Sequence, residues 1–428
     1  MLDGIRNAFS VKELRDKVLF TILILVLYRV GAYIPVPGIP FTEMLGAYEL
    51  ASEQAGYVTV LNLFSGGALS RVSLFSLGIM PYITAEIILQ LLQGVIPSLQ
   101  DLAREGEAGQ RRITQYTRYL TVGLAALSAV GYLFLFKSST YGISFASAGM
   151  PEILMDVVVV VALLAGAILI MWMGELITLR GVGNGMSLII FTNIISGLPT
   201  SIIQSVQTSS NGWLLTLLIL VVVAVIIPFI VYVERGQRRI PVQFAKRVVG
   251  RRVLGGQTTY LPIKVNTAGV VPIIFASAVL YLPAQLAIFF PNVGWINTFA
   301  TMVSSGWLNW ILSVVLIVAF AYFYASMVFN PDETADTLRK QGGFIPGVRP
   351  GTATALYIKH TVSRITLPGA LFMAAIAVVP SIIFAFTSNS LVQTFGGTSV
   401  LIMVGVALDT IAQLESQLKM YNYDGFFQ

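Results

Sequence analysis

The sequence predicts an all-α protein that crosses a membrane many times. Of its 428 residues, 56% are hydrophobic and only 11% are charged, whereas a typical soluble domain has roughly 25% charged residues. Several apolar runs approach the roughly 20 residues that a helix needs to cross a bilayer. We therefore expect most apolar side chains to face lipid or other helices, as in a polytopic membrane protein.

Ten apolar segments follow one another along the chain, and each predicts a transmembrane helix. They lie near residues 18–34, 72–95, 119–136, 153–173, 186–206, 213–233, 267–290, 308–329, 366–387 and 398–415. The first segment leads into a proline-containing stretch rather than a small-residue cleavage site, so we predict that it is retained as a span. An even number of spans places both termini on the same side.

The basic residues predict which side that is. Lysine and arginine accumulate in cytoplasmic loops, and with the N-terminus inside, 23 of the 26 basic residues lie in cytoplasmic segments. Two of these segments, 234–266 and 330–365, are long, basic and rich in turn residues. We expect them to be docking surfaces.

Three shorter segments predict local structure between the spans. Residues 252–260 contain strand-forming residues around Gly255-Gly256, which predicts a β-hairpin. Residues 61–71 are amphiphilic, interrupted by glycine and too short to cross a bilayer, as expected of a re-entrant segment enclosed by protein or water. The glycine-rich stretch 181–185 has no Walker A context, so we interpret it as a turn into span five.

The number of spans also permits two related halves. Five spans in each half reverse the side from which the second half enters the membrane, so the halves 1–206 and 207–428 can form an inverted repeat. This prediction depends only on the odd number of spans in each half.

The composition argues against an enzyme and against a resident cofactor. Cysteine is absent, and the single histidine, His360, lies beside Lys359 in a basic loop. No Walker A sequence, serine nucleophile motif or paired catalytic carboxylates can be found. Glu86 is the one carboxylate well inside a span. A secondary transporter of small solutes usually needs several such groups, so we retain it only as the alternative function.

Seven motifs in order make the chain similar to the SecY family, whose members are central channel subunits of protein translocases. The matching motifs are FSGGALSR (64–71), GIMPYI (78–83), QYTRY (115–119), RGVGNG (180–185), VERGQRR (233–239), FNP (329–331) and FIPGVRPG (344–351). The resemblance covers essentially the whole chain.

This resemblance implies a pore between the two halves that passes unfolded polypeptide. An apolar ring would constrict the pore, formed by Ile79, Ile83, Met186, Ile190, Ile274 and Ile402. A plug helix near 58–70 would close its outer side, with Leu63, Phe64, Ser65, Gly66 and Gly67 at its centre. The spacings 79/83 and 186/190 agree with this, because residues four apart lie on one helix face.

The resemblance also implies a lateral gate, docking residues and partners. Spans two and seven would part to release apolar segments into lipid, with Thr84 and Ser277 at the seam. Arg239, Lys246 and Arg349 would contact the ribosome and the SecA motor.

Other implied partners are the SecE and SecG subunits, signal sequences and unfolded polypeptide. The expected location is the inner (plasma) membrane of the cell, with both termini cytoplasmic. We expect Glu86 one turn to the cytoplasmic side of the ring, in a water-filled funnel.

Overall fold

The structure is a computed structural model that describes residues 11–37, 62, 64–137, 151–208, 212–244, 247–249, 252–254, 258–289, 293–304, 306–385 and 396–424. Its main helices are α1 (Lys12–Gly31), α2 (Met80–Val95), α3 (Pro97–Arg104), α4 (Glu107–Lys137), α5 (Glu152–Arg180), α6 (Gly185–Thr208), α7 (Gly212–Glu234), α8 (Val271–Phe289), α9 (Gly294–Ser304), α10 (Trp307–Val328), α11 (Pro331–Lys340), α12 (Thr352–Ala385) and α13 (Gly397–Asp424). Five short strands lie between α7 and α12: β1 (Gln237–Phe244), β2 (Arg247–Val249), β3 (Arg252–Leu254), β4 (Thr258–Lys264) and β5 (Gly343–Phe344).

The helices agree with the predicted membrane architecture. Within the described residues, seven helices are long and apolar enough to cross a membrane, and α2 with α3, bent by 101°, makes an eighth if the pair forms one span. α8 is apolar but shorter. Each of the ten predicted segments overlaps a helix. The fold is therefore a polytopic helical bundle, and its count of ten spans stays a prediction.

The second predicted span is shorter than expected. Residues 72–79 were predicted to be helical, but α2 begins only at Met80, with Pro81 in its first turn. The preceding chain turns instead, with Gly78 at φ 58°. It pairs with the residues that follow α1, through a hydrogen bond from the Leu74 N–H to the Ile34 carbonyl (2.8 Å). Proline suits the first turn of a helix because its missing N–H has no intrahelical partner there.

The two long loops share a three-stranded sheet. β1 pairs antiparallel with β4, and its far end pairs with β5, which belongs to the second loop. The inward side chains of the sheet pack on α12, forming a separate apolar cluster of Ile240, Val242, Ile263, Ile345, Ile358 and Val362. We call this unit the sheet module, and the bundle end that carries it the sheet end.

The predicted partner of the 252–254 strand is wrong. The 252–254 strand was expected to pair with 257–260 across Gly255-Gly256, but it pairs with β2, so that Val249 lies opposite Arg252. Residues 258–264 instead extend along β1. β1 offers them a longer partner whose alternate side chains are buried, and burial of one face selects the register of a sheet.

α11 shows how local sequence fixes an element in this module. The Asn330 side chain accepts hydrogen bonds from the Asp332 and Glu333 N–H groups at 3.2 and 3.4 Å. Acidic residues occupy the first turn and basic residues the last. Both features stabilise a helix, because they satisfy free N–H groups and oppose the helix dipole.

Candidate pore and plug

The six predicted ring residues lie in one apolar cluster. Ile79 and Ile83 come from the start of α2, Met186 and Ile190 from α6, Ile274 from α8 and Ile402 from α13, and all six are buried in the cluster that fills the bundle. Ile79 precedes α2, but its carbonyl accepts from the Ile83 N–H at 3.2 Å. The pair therefore keeps its helical spacing.

Two features position Met186 at the start of α6. Asn184 caps the helix, since its side-chain oxygen accepts from the Met186 and Ser187 N–H groups at 3.0 and 3.2 Å. Gly185 lies so close to the Gly174 carbonyl of α5 that a Cβ there would clash. The glycine-rich stretch is thus a turn, as predicted, and it permits close packing of α5 against α6.

The re-entrant segment lies inside the bundle. Phe64, Ser65, Ala68 and Leu69 are all buried. The segment closes on itself, because the Ser65 hydroxyl accepts from the Leu69 N–H (3.1 Å) and Asn62 accepts from the Ser70 N–H (3.0 Å). We call residues 62–70 the plug segment. Leu63 belongs to the predicted plug but lies outside the described residues.

Hydrogen bonds join the plug segment to α1 and α6. The Asn193 amide of α6 donates to the Phe64 carbonyl at 2.7 Å and accepts from the Tyr28 hydroxyl of α1 at 2.8 Å. Arg29 of α1 donates to the Gly66 carbonyl at 2.7 Å. Sequence reasoning identified neither Tyr28 nor Asn193 as part of the site.

Two cavities open toward the sheet end. One of about 290 Å³ has Ile274 among its lining residues, together with Glu234, Lys264 and Asp409. The same three charged residues line a second cavity of about 560 Å³, which reaches Arg239 of β1. The apolar cluster therefore adjoins a polar recess toward the sheet module.

Glu86 lies on α2, one turn beyond Ile83 and half-buried. It is close enough to Tyr82 and Tyr324 to interact with both electrostatically. Tyr324 lines the smaller cavity. Glu86 therefore lies on the sheet-end side of Ile83, near that cavity.

The predicted gate residues Thr84 and Ser277 lie on the packed helices α2 and α8 and are both half-buried. The Ser277 hydroxyl donates within its own helix, to the Ile273 carbonyl at 2.6 Å. The polar contact between elements is nearby: the Tyr132 hydroxyl of α4 lies 3.5 Å from that of Tyr281 on α8. Sequence reasoning did not select this tyrosine pair.

The predicted docking residues that the structure describes are exposed. Arg239 lies on β1, and Arg349 follows β5, so the sheet module carries both. Lys246 lies outside the described residues. No group of three or more His, Asp or Glu that could hold a metal lies within the described part of the chain.

Comparison with known proteins gives a consistent result. The SecY family model matches residues 73–411. The protein translocase subunit SecY of Streptomyces coelicolor is 45% identical over 448 aligned positions, and that of Mycobacterium tuberculosis is 46% identical over 443, with all of both chains covered in each case.

Solved structures share the fold. One described as a protein conducting channel has a TM-score of 0.60 at 19% identity, covering 93% of this chain and 91% of the other. Sec61 in the canine ribosome-channel complex has a TM-score of 0.56 at 18% identity, with the same coverage. The family match, the full-length relatives and the shared fold agree, and the chain belongs to the SecY family.

Proposed function

We propose that this chain is the central channel subunit of a protein translocase and conducts unfolded polypeptide across a membrane. The observation that supports the proposal most is the burial of the six predicted ring residues. They come from four separate helices and belong to one buried apolar cluster, while α6 also contacts the plug segment and α8 also lines the polar recess.

An apolar ring suits a substrate of variable sequence. Ile, Met and their neighbours offer no hydrogen bonds that would favour one polypeptide over another, and an apolar constriction resists ions by excluding water. A small-solute transporter would need fixed polar groups at the constriction to recognise its solute. The ring therefore favours the channel over the secondary transporter.

The same frame supports lateral release of apolar segments. α2 and α8 would separate, so that Thr84, Ser277 and the tyrosine pair on α4 and α8 become the walls of an exit toward lipid. Separating the hydroxyls of the tyrosine pair would cost little, because interhelical hydrogen bonds in membranes contribute only about 0.6 kcal/mol on average.

The sheet module is our proposed docking surface. Arg239 and Arg349 would contact the ribosome and the SecA motor, and the module would couple those partners to the helices that it connects. The canine Sec61 structure is of a ribosome-channel complex, which supports the ribosome as a partner here. SecE and SecG would complete the complex.

We place the sheet end in the cytoplasm of a bacterial cell, with the plasma membrane as the site of action and both termini inside. Ten spans would then divide into the halves 1–206 and 207–428. In this orientation the polar recess is the entrance funnel, and Glu86 is a carboxylate near it, beside Tyr324.

Reconstitution tests the function. The full-length chain, co-purified with its small subunits, is inserted into vesicles and supplied with SecA, ATP and an unfolded precursor that carries a signal sequence. We expect the precursor to become protected from added protease, while vesicles lacking the chain protect none. Coupled uptake of a small solute, without precursor protection, would favour the transporter instead.

A further inference from the structure

Asn193 is a polar residue in the apolar interior. Its exposed fraction is 0%, and its α6 neighbours Ile190 and Ile194 belong to the main apolar cluster. Burying an amide is unfavourable unless its donor and acceptor both find partners. The contacts of this side chain therefore indicate what it does.

Both ends of the Asn193 amide are used, and by different elements. The carbonyl oxygen accepts from the Tyr28 hydroxyl of α1, and the NH₂ group donates to the Phe64 carbonyl of the plug segment. The Phe64 carbonyl can only accept, so the amide has one orientation that satisfies both partners. One side chain thus connects two helices and the plug segment.

The neighbouring residues hold this arrangement in place. The Tyr28 ring is fully buried and stacks on Phe75, with centroids 5.4 Å apart and planes at 8°. Arg29 donates to the Gly66 carbonyl. Gly66 has φ +66°, and a Cβ on it would collide with the Asn193 side-chain oxygen, so the plug backbone approaches the amide as closely as glycine permits.

Asn193 also shares a helix face with two ring residues. Met186, Ile190 and Asn193 are spaced by four and then three residues, which places them in line along α6. A polypeptide that displaces α6 at the ring would displace the amide as well. Opening of the ring and loss of the plug contact would therefore be linked.

We propose that Asn193 is a latch that holds the plug closed, and that its hydrogen bonds to Tyr28 and Phe64 set how strong a signal sequence must be to open the channel. Asn193 is thus a specificity-determining residue of the pore. The proposal rests on the channel function proposed above.

The absence of cysteine permits a direct test of plug release. Ser65 is 2% exposed, so a Ser65→Cys thiol is the single thiol of the chain and is shielded while the plug is closed. In this background we compare Asn193→Ala, Tyr28→Phe and the double variant. Thr192→Ala is the matched control, because that hydroxyl bonds only within α6 among the described contacts, to the Leu188 carbonyl.

We expect Tyr28→Phe to accelerate modification of the Ser65→Cys thiol by an impermeant maleimide about 2- to 10-fold, which is the effect of losing one hydrogen bond. Asn193→Ala should accelerate it more, and the double variant should match Asn193→Ala because the two residues act through one amide. Export of a precursor with a weakened signal sequence should rise in the same order. Thr192→Ala should change neither measurement.

Modification rates equal to that of the parent in both single variants would overturn the latch. Additive single effects would overturn it too, since they would mean that Tyr28 and Asn193 act separately. Tyr28→Phe keeps the ring that stacks on Phe75, so this variant tests the proposal even if Asn193→Ala fails to fold. A parent chain that exports no precursor, yet shows latch-dependent labelling, would refute the channel function and not the latch.

Discussion

Ile190 and Asn193 lie one turn apart on α6 and have opposite chemistry. Ile190 is a buried apolar residue of the proposed ring, and Asn193 donates a directional hydrogen bond to the plug segment. An apolar contact is indifferent to direction, whereas a hydrogen bond weakens steeply when its geometry is lost. Ile190 thus suits a constriction that accepts many sequences. Asn193 suits a contact that is either made or broken.

The ring is tested by Ile190→Ser. We expect an increase in ion conductance of the resting channel and weaker discrimination between signal sequences, because a small polar side chain admits water to the constriction. Conductance across a planar bilayer measures the effect. Ile195→Ser is the control, since Ile195 is an exposed residue of the same helix. Unchanged conductance after substitution of both Ile83 and Ile190 would place the gate elsewhere.

Two adjacent glycines of the plug segment separate backbone strain from loss of the contact with Asn193. Gly66 and Gly67 have φ +66° and +83°, so alanine at either position costs about 1 kcal/mol in strain. Only the Gly66 Cβ would meet Asn193 closely. We expect Gly66→Ala to raise resting conductance clearly more than Gly67→Ala, and equal effects would show that strain alone governs the plug.

At the scale of elements, α4 and α5 are held together near both ends. Arg118 forms a bidentate ion pair with Glu175, with N–O distances of 2.8 Å. At the other end Lys137 contacts Glu152 and Asp156 at 2.9 and 2.6 Å. Charged side chains are unfavourable in a membrane helix unless they are paired, and these five form ion pairs between α4 and α5.

The Arg118–Glu175 pair should stabilise the bundle more than a surface pair does. The Glu175 side chain is 12% exposed, whereas Glu107, which pairs with Arg111 on the same α4, is 83% exposed. We expect Glu175→Gln to lower the free energy of unfolding by about 1 to 2 kcal/mol. Glu107→Gln should change it by less than about 0.5 kcal/mol. Thermal unfolding in detergent compares the two, and equal losses would contradict the argument.

The sheet module makes a prediction for docking. Arg349→Glu should reduce SecA-driven export while leaving the amount of assembled chain unchanged, because exposed surface substitutions usually cost little stability. Export assays and quantitation of membrane protein measure both. Arg104→Glu, an exposed charge reversal on α3, is the control. Normal export by the Arg349 variant would remove this residue from the docking surface.

The sequence predicts the apolar helices well and the contacts between them poorly. Hydropathy identifies a helix, because lipid requires a long apolar run. The ring stays a prediction from the family motifs, and the structure shows only that its six residues are buried. The start of α2 and the partner of β3 depended on tertiary packing, which local patterns do not contain. Asn193 was missed for the same reason: an isolated Asn in an apolar helix indicates a polar contact, but its partners lie 129 and 165 residues away.

At the scale of the whole molecule, orientation decides which face meets which partner. The sheet module and the polar recess lie toward one end. If that end is cytoplasmic, the recess receives the polypeptide and the plug segment closes the exit. The opposite orientation would place the proposed docking surface outside the cell, away from ribosomes and ATP.

Protease accessibility tests the orientation. Protease added outside intact cells should leave the 234–266 loop uncut, because the distribution of basic residues predicts that the loop is cytoplasmic. The same protease should cut it in permeabilised cells, which controls for a loop that resists cleavage when folded. Cleavage in intact cells would reverse the orientation and with it the docking proposal.

The residues of the proposed ring belong to the main apolar cluster of the bundle. Opening the pore would therefore separate part of the hydrophobic core. Gating and unfolding would both have to break apolar contacts of the same cluster. Substitutions that pack this cluster more tightly should yield a hardier protein that exports more slowly. Selection for heat resistance and selection for secretion rate would then oppose each other at the same side chains.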